Sequence, residues 1–495
     1  RHTGDFSIFR IYSDKNNMPA EYSKDNVPYT PKHHLPISLK GVEENDFTMI
    51  FGFPGRTNEY LLSNEVSFIK NTLNPIRIHI REEKMDVLKS RMESSDKIRI
   101  QYSAKYARLS NYYKKWKGEN MGLKKSRAIE KKIEEETAFV NWAKENDYKD
   151  VKSTLEEYCD LSHNYQLMLN VAYEAGLGID LFYFSYLMER FLAKYDINNE
   201  GSTKNQELKK KQIKKFRDLY RDFDIETDRQ VSRSLLPIMN KTLSQIGGSN
   251  VLYNTNFFGD IPDFIDKLYL KSFMTDSTKV INFIKGFSES KLKKAKKDPA
   301  ISAGMFLSEL INRTRISYKP IKDSVFLYQG KYLSGLIEKN KNRSYYPNAN
   351  STLRLAYGKV EPYYPRNGVC YDLKTTQKGI LQKHASGDKD YVLPPKLVEL
   401  FEKKDFGEYA ENGILPVCFI ASNHTTGGNS GSPVINSKGE FIGINFDRNW
   451  EGTMSDLNYD ISICRNIAVD ARYIMFIVDK FAGAGYLLEE MTLRK

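Results

Sequence analysis

The stretch Ser422–Trp450, SNHTTGGNSGSPVINSKGEFIGINFDRNW, carries the residue types that a nucleophilic serine needs. Ser430 stands within Gly427-Gly-Asn-Ser-Gly-Ser-Pro433. An exposed hydroxyl on a rigid bend can attack a carbonyl, and the oxyanion that forms needs backbone N–H donors beside it. Gly428, two residues ahead, lets the backbone approach the reacting group without a Cβ in the way. The N–H groups of Gly428 and Ser430 are therefore the candidate oxyanion hole. Ser432 is the competing nucleophile; it precedes Pro433 at a strand start and has no glycine two residues before it. A bare G-x-S-G also occurs in hairpin loops without chemistry, so the loop alone leaves both readings open.

The flanking residues predict how the loop is held. Leu415–Ala421 is an apolar strand-like run leading in, and Pro433–Asn436 and Phe441–Phe446 are joined by Ser437-Lys-Gly-Glu440. Two β-type runs about a short loop containing glycine predict a hairpin. Pairing Asn436 with Phe441 sets Ser430 across from Asp447, and opposed residues lie about 5 Å apart at Cβ. A bulge or a one-residue slip moves that neighbour to Phe446 or Arg448.

A serine hydrolase also needs a base and a group that orients it. The histidines are His2, His33, His34, His79, His163, His384 and His424. None has a convincing base context. His424 shares the incoming loop with Ser430 and is poorly placed to reach its hydroxyl, and His2 lies three residues from Asp5 at the chain end. On residue types alone the catalytic set is incomplete.

The elements around this stretch fall into three parts: 1–63, 64–345 and 346–495. The first is punctuated by Pro and Gly, with strand-like runs at Phe6–Tyr12 and Phe47–Phe53. In the second, no proline occurs between Pro75 and Pro237, a length in which β-rich or irregular chain normally shows several. Ile213, Phe216, Tyr220 and Phe223 recur at helical spacing, and Leu181–Met188 reads as a more deeply buried helix. The third part carries the hairpin, a further strand expected at Asp460–Cys464, and a terminal helix expected over Ile467–Glu490. The class is α+β, with β segments flanking an inserted helical block.

Bulk properties narrow the function classes. The 495 residues are 40% hydrophobic and 13% aromatic, a globular composition with no uninterrupted apolar run long enough to span a membrane. The four cysteines are widely spaced, without a zinc-ligand pattern. The net charge of +12 invites a nucleic-acid reading. The cations cluster, however, in helical stretches such as Glu207–Arg217 and Lys291–Lys297, with no recognition-module pattern. These read as solvated helix faces whose field can attract acidic peptides. The alternative of another class is a basic helical protein that binds nucleic acid or a partner and carries an inactive protease-like lobe.

Four motifs in order, Arg1-His-Thr-Gly-Asp-Phe6, Gly427-Gly-Asn-Ser-Gly-Ser-Pro433, Phe446-Asp-Arg-Asn449 and Val469-Asp-Ala-Arg-Tyr473, resemble the S46 family of bacterial dipeptidyl peptidases. The resemblance spans the chain. It implies a chymotrypsin-like double β-barrel, here incomplete at its N-terminus, with a large inserted α-helical cap domain. It also implies a periplasmic, homodimeric exopeptidase that needs no metal or other cofactor. By position, Ser430 is the nucleophile and Asp5 the carboxylate that orients the base. The family's histidine lies upstream of Thr-Gly-Asp, so the expectation is that these residues are the C-terminal portion of a longer protein. The N-terminal part would carry the histidine, and this chain alone would then be inactive.

The remaining matches imply how dipeptides are measured. Asp447 and Asn111, the latter in Ser110-Asn-Tyr-Tyr-Lys-Lys-Trp116, resemble the family's anchors for the free α-amine of a peptide substrate. Taken alone, Asn111 reads as an exposed helical residue. Arg448 occupies the position that lines the pocket for the residue before the scissile bond. Arginine there resembles the branch that cuts after Asp or Glu, because a guanidinium pairs bidentately with a carboxylate; a sister branch prefers apolar or broader substrates. The other reading of Arg448 is a solvated hairpin charge. For Asp447 and Arg448 to reach one substrate the strand must bend between them, since neighbouring strand residues point to opposite faces.

Overall fold

In a computed structural model, residues 5–246 and 257–495 are described. The chain divides into two compact units, one formed by Arg1–Glu59 with Tyr346–Lys495 and the other by Tyr60–Tyr345.

The first unit is built on an antiparallel sheet. Its main strands are β1 (Phe47–Gly52), β2 (Arg354–Lys359), β3 (Lys374–Thr376), β4 (Pro416–Ala421), β5 (Ser432–Ile435), β6 (Phe441–Arg448) and β7 (Asn466–Asp470). They lie in the order β2-β1-β5-β6-β7-β4-β3. The sheet curls back on itself beyond β2, where Val360 bridges Ala421 and Ser422 N donates to Lys359 O at 2.8 Å. Ile50, Val360, Phe419, Val434, Ile442 and Ala468 fill one apolar core. Val417, Val469, Tyr473 and Phe476 join Leu397 and Phe401 in a second. Alternation along each strand sends successive side chains to opposite faces, so both cores draw on the same strands.

The hairpin forms as expected. Ser432, Pro433 and Val434 face Asn445, Ile444 and Gly443 in the expected register, and a bulge shifts only the turn end, where Ile435 meets Phe441. Other expectations fail for identifiable reasons. Asp460–Cys464 is a turn and not a strand: the Asp460 carbonyl accepts from Ile463 N and Cys464 N, and its carboxylate accepts from Ser462 N. The terminal helix is shorter than Ile467–Glu490, because Asn466–Asp470 is taken by β7 and the α-helix runs only Ala471–Phe476. Val469, which the helical stripe included, instead pairs with Ile444 and Cys418. Of Phe6–Tyr12 only Tyr12 enters a strand, the two-residue pairing of Tyr12–Ser13 with Val27–Pro28.

Asp470 ends β7 and caps that last helix, accepting from Arg472 N at 2.9 Å. The same carboxylate binds the Arg472 guanidinium at 2.8 and 3.0 Å, with both side chains almost wholly buried. The Val469–Tyr473 motif is thus a structural ion pair at a strand-to-helix junction.

The second unit is helical. Its long members are α1 (Asn74–Ser94), α2 (Asp96–Lys125), α3 (Val151–Val171), α4 (Asp180–Lys194), α5 (Thr203–Arg221), α6 (Ile225–Ile246) and α7 (Pro299–Lys339). Leu181, Phe182, Phe184, Leu187 and Met188 of α4 are buried, as their spacing requires. The stripe of α5 packs on it: Phe184 lies 6.2 Å from Phe216, 4.9 Å from Tyr220 and 5.3 Å from Phe223 between ring centroids. Lysines 209, 210, 211 and 214 of α5 line an open groove on the outside of this unit. Asp228 of α6 accepts from the N–H groups of Asp180 and Leu181, capping α4 from a neighbouring helix. No helix among the described residues is long and apolar enough to cross a membrane.

Candidate active site

Ser430 sits in the exposed loop between β4 and β5, and its Oγ donates to the Phe446 carbonyl at 3.1 Å. That contact brings the loop against the end of β6, where the register arithmetic puts it. The loop is set by conformations that glycine alone tolerates. Gly428 has φ +109°, and a Cβ there would lie 2.3 Å from Phe53 O. Gly55 N donates to Gly427 O at 2.7 Å, clamping the same turn onto the segment after β1.

The loop's backbone donors divide into two sets. Asn429 N, Gly431 N and Ser432 N donate to Thr426 O, Asn445 O and Asn429 O. Among the described residues no acceptor meets Gly428 N or Ser430 N, the pair that brackets the hydroxyl. Two donors left without a partner beside a hydroxyl are what an oxyanion hole would draw on.

A buried asparagine ladder supports the loop from below. Asn429 Oδ1 accepts from Thr426 N at 3.0 Å, and Asn429 O accepts from Asn445 Nδ2 at 3.2 Å. Asn466 Nδ2 in turn donates to Asn445 Oδ1 at 3.0 Å. Buried amides bonded to one another hold a loop in place, because a shift strands a polar group away from water. The sequence did carry a signal for them, since asparagines at strand positions run against β-propensity.

Beyond Phe446, β6 bulges. Asn445 pairs with Ala468 while Asp447 pairs with Ile467, so Phe446 is the extra residue. The extra residue falls one position early: Asp447 and Arg448 then face Ile467 and Asn466 in regular register, so the bend expected between them is not found there. Asp447 is exposed, and its Oδ1 accepts from Arg448 N at 2.7 Å. Among the described residues no ion pair engages its carboxylate.

Arg448 turns away from bulk water. Its Nη1 lies 2.6 Å from Asp456 Oδ1 and its Nη2 3.2 Å from Asp456 Oδ2. Nη1 also lies 2.7 Å from Ser455 Oγ and 3.3 Å from Thr425 O. The guanidinium is thus no solvated hairpin charge. It borders a tight crevice shared with Asn423, Tyr459 and Cys464, where burial pushes the Cys464 thiol up to about 11. Asp456 and Ser455, in the short 3-10 helix Glu451–Asp456, and Thr426, in the loop of Ser430, escaped the sequence reading because their contacts are tertiary.

The other candidates lie elsewhere. Asp5 is an exposed residue of the extended N-terminal segment, and no hydrogen bond joins it to a histidine among the described residues. Residues 1–4 of its motif, His2 included, are outside the described residues. Asn111 is exposed on α2 of the helical unit. His424 is engaged away from Ser430: its Nε2 lies 2.9 Å from Ser455 O, and its ring stacks on Tyr459 at 4.6 Å.

A curled antiparallel barrel bearing a glycine-bracketed hydroxyl on a braced, exposed loop is the layout of a peptidase. The chain belongs to the Peptidase S46 family, whose model matches residues 1–493. It is 41% identical to the Asp/Glu-specific dipeptidyl-peptidase of Flavobacterium psychrophilum, an alignment covering 100% of this chain and 69% of that protein. It is 39% identical to dipeptidyl-peptidase 7 of Phocaeicola vulgatus, again covering 100% of this chain and 69% of the relative. Among solved structures it is similar to Porphyromonas endodontalis DPP11 in complex with the dipeptide Arg-Asp, with TM-score 0.84 and 31% identity over 100% of this chain and 71% of that one.

Proposed function

We propose that the chain forms the nucleophile-bearing part of a serine-type dipeptidyl peptidase that releases N-terminal dipeptides with Asp or Glu in second position. Ser430 attacks the second peptide bond, Gly428 N and Ser430 N receive the oxyanion, and water then hydrolyses the acyl-enzyme. Asp447 and Asn111 hold the free amine, and Arg448 faces the acidic side chain. One observation carries the reading: the Ser430 hydroxyl bonds the carbonyl of Phe446, two residues before Arg448, so nucleophile and guanidinium flank one short piece of β6. The 41% identical relative named for Asp/Glu specificity supports the same substrate class.

The base is assigned to a histidine outside the loop of Ser430, with Asp5 orienting it. Two observations support this: Ser430 Oγ is bonded to a carbonyl, and the nearby His424 is engaged with Ser455. The motif resemblance extends the reading to a periplasmic homodimer.

The test is Arg448→Gly in the intact protein, assayed on dipeptide substrates ending in Asp, Glu, Leu and Met. Cleavage after Asp and Glu should fall far more than labelling of Ser430 by a small serine reagent. Equal loss of both would remove Arg448 from the pocket.

A further inference from the structure

We infer that Asp456 is a positioning residue for substrate selection: it is the resident counter-ion of Arg448, and it weakens the preference for acidic over apolar side chains. This rests on the assignment of Arg448 to the substrate pocket.

The pair is built in. Both Arg448 side-chain amino groups meet both Asp456 oxygens, and the two side chains are only 13% and 14% exposed. Asp456 is fixed in its turn. Thr426 Oγ1 donates to its Oδ1 at 2.5 Å, and Asn58 N donates to its carbonyl at 2.7 Å. Thr426 belongs to the loop of Ser430 and also anchors Asn429, so the carboxylate and the nucleophile loop share one brace. The other cation of the crevice, Arg465, is matched by Glu361 at 3.4 Å and by the carbonyls of Ile461 and Pro362. Each of the two cations that border the crevice therefore already has a carboxylate partner.

This balance changes what each substrate meets. An entering carboxylate becomes a second anion on one guanidinium, and Asp456 repels it at short range where little water screens the charges. An entering apolar side chain meets a cation that already has a partner, so it does not strand a buried charge, the cost that an unpaired Arg448 would impose. Asp456 thus reduces the advantage of Asp and Glu from both directions. The same contacts hold the guanidinium plane in place, for which one remaining amide oxygen is a partial substitute.

The experiment is Asp456→Asn in the intact protein, with steady-state kinetics on matched substrates ending in Asp, Glu and Leu, alongside Arg448→Gly. The expected result is a KM for Asp and Glu substrates at least tenfold lower, kcat within about threefold of wild type, and a Leu KM unchanged or raised. A purely structural role would instead change all substrates together and lower the melting temperature. Binding of free Xaa-Asp and Xaa-Leu dipeptides to Ser430→Ala and Ser430→Ala/Asp456→Asn proteins, by calorimetry, gives the same readout should turnover be lost. If Arg448→Gly abolishes the acidic preference while Asp456→Asn leaves the Asp-to-Leu ratio unchanged or smaller, this inference falls and the pocket assignment stands. If Arg448→Gly leaves the ratio untouched, both fall.

Discussion

Replacing Gly428 by alanine tests the oxyanion assignment at a single atom. The new Cβ would stand 2.3 Å from Phe53 O and 2.9 Å from Gly55 N, both backbone atoms, at a residue whose φ is +109°. No rotamer relieves such a contact, so the backbone must shift by on the order of 1 Å, enough to cost about 100-fold in an oriented reaction. Loss of one oxyanion donor costs about 10²–10³ in kcat, or ~3–4 kcal/mol. The strained conformation costs a further ~1–3 kcal/mol of stability. The two effects separate experimentally. Steady-state assay of the intact protein on a chromogenic Xaa-Asp amide should show kcat down at least 100-fold and KM changed little, because the amine anchors and Arg448 are untouched. Thermal unfolding should report only the smaller, structural loss. A variant with wild-type kcat would refute the reasoning, since it would mean that the Gly428 N–H does not face the reacting carbonyl.

Two predictions concern the scaffold. Asp470→Asn leaves the buried Arg472 with Glu411 at 3.3 Å as its one charged partner and should lower unfolding free energy by about 2–4 kcal/mol, read by urea denaturation; a change below about 1 kcal/mol would show that Glu411 alone suffices to hold the cation. Asp228 is held up to about 6 by burial, with the nearby Asp180 carboxylate adding to the shift. Its folded value lies above the usual carboxyl value of 3.8, so its contribution to stability is full below that value and is lost as pH rises toward 6. Wild-type stability should therefore lose up to about 3 kcal/mol over that window relative to Asp228→Asn; parallel pH profiles for the two proteins would contradict the assignment.

What could be read ahead of the structure followed local rules. The hairpin register came from pairing Asn436 with Phe441 across the glycine-containing turn, and it placed Ser430 at β6. The α4 and α5 stripes followed from 3.6-residue spacing. The two-residue strand period called for a bend between 447 and 448, but the bulge falls at Phe446 and those two residues pair regularly with Ile467 and Asn466. The errors lie where side chains outcompete periodicity. Asp460 folds its own neighbours into a turn, and Asp470 converts a strand into a helix at the residue where the apolar stripe ran on unbroken. Asp456 is the instructive omission. A six-residue 3-10 helix is too short to show a period, and only the fold brings the Asp456 carboxylate to Arg448. A reading from the sequence alone thus offers Arg448 to a substrate carboxylate or to water, whereas the fold already pairs it with Asp456.

The most direct measurement is covalent labelling of the intact protein with a dipeptidyl phosphonate that bears an acidic second side chain, followed by peptide mass spectrometry. A single adduct is expected on Ser430, formed more slowly in the presence of a free Xaa-Asp dipeptide and unaffected by the matched Xaa-Leu dipeptide at the same concentration. An adduct on Ser432, or labelling indifferent to the acidic dipeptide, would contradict the account.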